Sequence, residues 1–296
     1  MATLTVNIDK PPIPTGNTLW VDAVNGNNTT ALRGRQDRPY LTLNAAKAEW
    51  TSGDEIRVRP GTYNERVMFG SCDWHLELGA VLDYNGTSTG NAFGDNLEEP
   101  ATGKVTGWGV FRHSGLTDIL NPVDGQGPYN AVVGTINQSS DWYFECLRIE
   151  GRQQQNVGSG GLVIDSGKFT FLVREELSST IYDALLNSAE VTGECVTSGY
   201  IHRIYVSALA DHAIEFISGA AVANFRVGSI VSDATNLDSI NGLGRNVTLE
   251  CDSIVGGGVR VLAGTIIGAN ITMNSNKGKK LIKTMAFTTT QIVIAT

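Results

Sequence analysis

Short apolar segments return along the second half of this chain at a nearly fixed interval, and that recurrence constrains the fold more than any other feature. "RIYV" begins at Arg203, "FRVGSIV" at Phe225, "VTLECDSIV" at Val247 and "ITMN" at Ile271, steps of 22, 22 and 24 residues. The tripeptide "SIV" recurs at Ser229 and Ser253, which puts Val227 and Cys251 at corresponding places, and "EC" occurs at Glu145, Glu194 and Glu250. Within each segment the apolar residues alternate, as half-buried strands require. A period this short, with β-branched residues and no amphipathic helix in the unit, excludes the helical solenoids and favours coils of parallel strands. Equivalent side chains one coil apart then stack in ladders at ~4.8 Å, with Val, Ile, Leu and Cys inside and Asn, Asp, Ser and Gly at corners. At this period residues 53–275 supply roughly ten coils, a rod on the order of 45–50 Å long. A β-sandwich or barrel with accidental spacing is the alternative reading.

Composition agrees with a folded chain of many turns. The 296 residues are 41% hydrophobic and 18% charged, with 34 glycines against 8 prolines, enough to bury a large core. The net charge of −8 argues against a nucleic-acid partner, which would call for a basic face. "MATLTVNIDK" carries neither the basic nor the apolar region of a secretory leader, and no run approaches the ~20 apolar residues of a membrane-spanning helix. Cys72, Cys146, Cys195 and Cys251 have neither disulfide-module nor metal-site spacing, and read as reduced, buried thiols. The sequons at Asn28, Asn85, Asn137, Asn246 and Asn270 read as by-products of Asn- and Thr-rich turns.

One helix is expected over Thr42–Trp50 ("TLNAAKAEW"), with Ala45, Ala46 and Ala48 as helix formers, Asn44 as N-cap and Gly53 as the stop. A second, weaker candidate is Arg174–Ala189, where Leu177, Ile181, Leu185 and Leu186 recur at helical spacing; an insertion packing across the coil stack is the equal alternative.

The segments "LWVDAVNGNN" (Leu19–Asn28), "RPYLTLNAAKAEW" (Arg38–Trp50) and "GDEIRVRPGTYNERV" (Gly53–Val67) together resemble the entry module of pectin-lyase-like right-handed parallel β-helix proteins. The resemblance covers about fifty residues closely and the later coils only in style. It implies an all-β fold, a single-stranded right-handed parallel β-helix (β-solenoid) whose open end is closed by the helix near residues 42–50. Ile56 and Val58 would point inward, Pro60 and Gly61 would turn the chain, and Tyr63 and Glu65 would be ordinary corner or ladder residues. The organisation then reads as an extended arm over 1–18, the β-helix over 19–275 and a terminal strand or tail over 276–296. Such modules occur in polysaccharide lyases and hydrolases, in adhesins and in bacteriophage tailspikes, so function has to be argued from sites.

Chemistry is sparse. The string "DWH" at Asp73–His75 is the nearest approach to a lyase motif, and its residues alternate as a strand would. Asp211 and Asp233 stand 22 residues apart and Glu215 and Asp238 stand 23 apart. Either pair stacked one coil apart would suit a glycoside hydrolase, with His212 as a proton carrier; solvated corner residues are the plain alternative. No nucleophile elbow, phosphate loop, HExxH or Cys/His ligand set occurs, and no cofactor or metal is expected. Among the tryptophans, Trp20 and Trp50 are expected to be buried near the cap, whereas Trp108 and Trp142, beside turns, are the candidates for an exposed carbohydrate-binding surface.

These features favour a non-enzymatic bacteriophage virion protein, a tailspike, fibre or head decoration. It would be a homotrimer made without an export signal and would bind a surface glycan or another virion protein. The Pro-rich arm would dock, and the β-branched tail "FTTTQIVIAT" would pair with neighbouring subunits. A glycan depolymerase and a bacterial surface adhesin are the alternatives.

Overall fold

A computed structural model describes residues 16–86, 92–96, 98–114, 130–135, 139–151, 159–164, 167–178, 181–183, 195–206, 214–216, 221–232, 240–243, 246–256, 259–261, 265–267, 270–273 and 282–283. The protein is mostly β, and its strands fall into two parallel sheets that the chain visits alternately. One sheet runs through Thr18–Val21, Glu55–Val58, Asp73–Leu76, Lys104–Gly107, Asp141–Glu150, Gly167–Ser178, Cys195–Val206, Ala221–Ser232 and Asn246–Gly256 to Thr265–Ile267 and Asn270–Met273. The other runs from Val67–Met68 through Phe93–Gly94, Asn130–Thr135, Ser159–Ile164, Ile181–Asp183, Ile214–Phe216, Ile240–Leu243 and Val259–Val261 to Ile282–Lys283. From Val67 onward each circuit adds one rung to each sheet, an arrangement compatible with a β-solenoid. The pairing of Ile282–Lys283 with Val259 and Arg260 carries the stack past residue 275.

The register shows why these residues make rungs. The column Cys146, Val173, Ile201, Val227, Cys251 is continuous across five neighbouring strands, and its first four members are fully buried. "SIV" is in register, with Ser229 opposite Ser253, Ile230 opposite Ile254 and Val231 opposite Val255. The step of 22 from Arg203 to Phe225 is corrected, because Arg203 pairs with Ser229, 26 residues on, while Phe225 pairs with Gly199. Ladder position rather than chain spacing is what burial constrains, so loops between rungs vary in length. "EC" at Glu194 breaks the pattern, since Cys195 pairs with Gly167 and Ala221.

The helix expected over Arg174–Ala189 is overturned. Residues up to Ser178 belong to the strand Gly167–Ser178, and Ile181–Asp183 is a strand of the second sheet; residues 179–180 and 184–189 lie outside the described set. Leu177 sits in a ladder between Ile149 and Ile204, and that burial outweighs the local helical spacing.

The cap helix is Leu43–Glu49, and its N-cap is Thr42, whose side chain accepts from Ala45 N, rather than Asn44. Glu65 supplies the other half of the cap: its carboxylate accepts the amides of Leu43 at 2.7 Å and Asn44 at 3.0 Å. Two orphan donors of the first turn, and the positive end of the helix, are thereby satisfied from the next coil. Leu43 and Ala46 are fully buried beneath. Ile56 and Val58 point inward as expected. Tyr63 is more than a corner residue. It is 3% exposed, and its hydroxyl lies 2.9 Å from Arg59 O and 3.2 Å from Val21 O while accepting from Ala23 N. One phenol thus ties two coils at the Pro60 turn, and burial holds its pKa above the ordinary value.

The middle of the stack is filled by interlocked aromatic rings: Phe69, Phe93, Phe111, Trp142, Phe144 and Phe169 have centroids 4.7–6.2 Å apart. Phe171, 5.5 Å from Phe169, extends this cluster; a Cβ on Gly199 would meet Phe171 O at 2.2 Å and the Phe171 ring at 2.8 Å, so the missing side chain leaves room for both backbone and ring.

Candidate functional site

Early coils turn sharply after each strand of the first sheet, and later coils straighten. Gly61–Tyr63, Ala80–Asp83 and Val110–Arg112 are separate strands, but Val110–Arg112 pairs with the second half of the long strand Asp141–Glu150. Among the described residues Trp108 and Gly109 form the last such corner, with Trp108 N bonded to Leu76 O and Gly109 O to Leu147 N. Two strands later, Gly167–Ser178 carries a bulge. From Val173 to Leu177 it spends one residue more than Cys146 to Ile149 on one side and Ile201 to Ile204 on the other. The extra residue falls within 174–176, and Arg174 stands at the start of the bulge, just after the inward Val173.

Corner and bulge meet in a ledge. The Arg174 guanidinium lies 4.5 Å from the centroid of the Trp108 indole, which is 43% exposed. The same guanidinium donates to Glu145 through Nε at 3.0 Å and through Nη2. The other Glu145 oxygen accepts the Tyr143 hydroxyl at 3.1 Å. Burial, and then the adjacent carboxylate, push the Tyr143 phenol up to about 12, so it stays a neutral donor at physiological pH. The cation above the indole is a real attraction, and Glu145 fixes its position. Beyond Tyr143 the register continues through Thr170 and Ser198. Thr170 and Ser198 are exposed, with their hydroxyl oxygens 3.2 Å apart.

An aromatic shelf with a fixed cation, flanked by hydroxyls, suits a ligand with apolar faces and many hydroxyls. The carboxylate in it is committed to an arginine and a tyrosine, which leaves it poorly placed to move a substrate proton.

The other expected site residues fall differently. Trp142 is corrected: it is 3% exposed and packs between Phe69, Phe144 and Phe169, so it is core rather than carbohydrate-binding surface. The alternation of "DWYFEC" held the signal, since outward Tyr143 and Glu145 force Trp142, Phe144 and Cys146 inward. Arg174 was hidden by the helical spacing around it. Asp211, His212, Asp233 and Asp238 lie outside the described residues. Glu215 lies on the strand Ile214–Phe216, where its register neighbours are Tyr182 and Asn241. His75 sits beside Thr106, with its Nδ1 3.1 Å from the threonine hydroxyl, which itself donates to Trp74 O. Trp20 is partly buried beneath Arg57 and Arg59, and Trp50 packs against the core while its indole N–H donates to Asp54 O.

Among the described residues, Cys72 and Cys146 are free and buried; burial pushes the Cys72 thiol up to about 12. Also among the described residues, no three His, Cys, Asp or Glu side chains group as metal ligands, and no helix is long and apolar enough to cross a membrane. Comparison of the chain with protein-family models, with curated proteins and with solved structures finds no match.

Proposed function

We propose that this chain is a non-enzymatic bacteriophage virion protein, a tailspike, fibre or head decoration built on a right-handed parallel β-helix of the pectin-lyase-like type, and that it binds a surface glycan at the Trp108 ledge. The observation that carries the glycan reading is the exposed indole fixed under Arg174, with Glu145 spent on holding the arginine and hydroxyl rungs running away from it. A hydrolase needs two carboxylates with free proton traffic across a scissile bond, and Glu145 has none to spare. The virion assignment rests on the resemblance of the entry module, and the assembly proposed with it is a homotrimer that docks on other virion proteins.

Titrating purified surface polysaccharides into the protein by calorimetry tests the glycan reading. Trp108→Ala is expected to weaken binding about tenfold, the scale of one aromatic stacking contact, with the far-UV spectrum unchanged. Light scattering tests the assembly: a particle of three 31.6 kDa chains is expected, and a monomer at all concentrations removes the trimer. If the protein shortens a polysaccharide that it binds, the non-enzymatic reading is wrong.

A further inference from the structure

The chain contains three Asn-Gly steps, Asn25–Gly26, Asn85–Gly86 and Asn241–Gly242, and the fold treats them differently. In such a step nothing on the glycine shields its backbone nitrogen from the preceding side-chain amide. Asn25 is restrained: its Nδ2 donates to Asp22 Oδ2 at 3.2 Å, its backbone N–H to Asp22 Oδ1 at 2.9 Å, and the Gly26 N–H to Asp22 O at 2.9 Å. The nitrogen that would attack is therefore already donating its proton to a carbonyl, in a turn packed against Tyr40 O. Asn241 lies inside the strand Ile240–Leu243, where it pairs with Glu215 of the neighbouring strand Ile214–Phe216.

Asn85 has neither restraint. It is exposed, just past the strand Ala80–Asp83, at the start of a bend. Among the described residues neither its side-chain amide nor the Gly86 N–H has a hydrogen-bond partner. Only the Gly86 carbonyl is engaged, lying 3.2 Å from His113 Nε2.

We infer that Asn85 is the site at which this protein modifies itself, by deamidation through a succinimide. Gly86 N attacks Asn85 Cγ and forms the ring C–N bond. The proton of Gly86 N passes to solvent base, the Cγ–Nδ2 bond breaks, and the departing nitrogen takes a proton and leaves as ammonia. Water then opens the ring at either carbonyl. The net change is asparagine plus water to aspartate or isoaspartate plus ammonia, with no change of oxidation state. Opening at the backbone carbonyl routes the chain through the side-chain carbon, adding a methylene just before Gly86. That displaces the carbonyl bonded to His113, whose Nδ1 has no partner of its own, and adds a negative charge near Asp83.

The test is peptide mapping by mass spectrometry, with fragmentation that separates aspartate from isoaspartate, on protein held at mildly alkaline pH, folded and in urea. In the folded chain conversion at Asn85 is expected to outrun that at Asn25 and Asn241 by about tenfold or more, the protection that one additional hydrogen bond gives; in urea the three rates should converge. Asn85→Gln, whose longer side chain disfavours the five-membered ring, is expected to keep the native spectrum and to stop the slow gain of negative charge on ion exchange. Equal conversion at Asn25 or Asn241 in the folded chain, an intact amide at Asn85, or an unchanged charge gain in Asn85→Gln overturns the inference.

Discussion

His113 is 2% exposed, and only one of its ring nitrogens is bonded. Because Nε2 faces a carbonyl, it must carry the proton, which leaves Nδ1 as a bare buried acceptor. The ring packs against Tyr84 with centroids 5.0 Å apart. Burial lowers its pKa from 6.5, against the Gly86 carbonyl and Asp83, which favour the cation; Arg66 adds to the lowering. The unfolded chain therefore takes up a proton first, so the stability that neutral His113 carries is full above about 6.5 and falls as the pH drops below it. His113→Phe is expected to flatten that limb of a urea-midpoint profile; an unchanged limb means that another group sets it. Asp22 governs a lower limb. Its side chain is 7% exposed and paired with Arg59. Burial alone would raise its pKa, but bonds from the Asn25 and Val24 amides, the Asn25 side chain and Arg59 win and hold it at about 2. Its contribution is present above 3.8 and is lost as the pH falls through about 2; Asp22→Asn should make that limb shallower, with the lowered Asp54 carboxyl still contributing, and leave the His113 limb unchanged. The two tryptophans once equivalent in the sequence now separate. Trp142→Ala is expected to cost about 3–5 kcal/mol of stability and Trp108→Ala about 0.5 kcal/mol or less, measured by urea unfolding.

Elements reveal what was legible and what was not. The cap helix could be read because alanines and its position before "GDEIRV" point to it directly, but its N-cap could not. The choice of Thr42 over Asn44 depends on Glu65, 21 residues beyond Asn44, arriving from the next coil. Thr42→Ala and Glu65→Ala are each expected to cost about 1 kcal/mol, and to speed hydrogen exchange at the Leu43 and Asn44 amides while the aromatic core stays protected. Loss of protection throughout would mean that the cap is not a separable element. The "SIV" ladder could be read because a strand one residue out of register would turn its apolar set to solvent. The 22-residue step could not be trusted, since loops between rungs are free to vary. The bulge at Arg174 had no signature at all: it exists only as a mismatch between three strands, and the helical spacing of Leu177 and Ile181 masked it. The ledge was therefore half visible, Trp108 from its place beside glycines and its partners not.

At the scale of the molecule, a stack of parallel rungs gives long ladders of identical environments, and function has to break the repetition somewhere. Among the described residues the clearest break is where the early corners end at Trp108 and the straight strands begin, with the bulge two rungs later. The proposed ligand would meet the protein at that point, on the exposed indole beside the Arg174 guanidinium. The acidic balance of the chain, −8 overall, leaves uncharged or hydroxyl-rich ligands as the better match than polyanions. The most direct test is an array of purified bacterial surface polysaccharides probed with wild-type protein and with Trp108→Ala. Retention of at least one polysaccharide by the wild type, with about tenfold weaker retention by the variant, is the predicted result. Retention of none, or equal retention by both proteins, would contradict a glycan-binding ledge at Trp108.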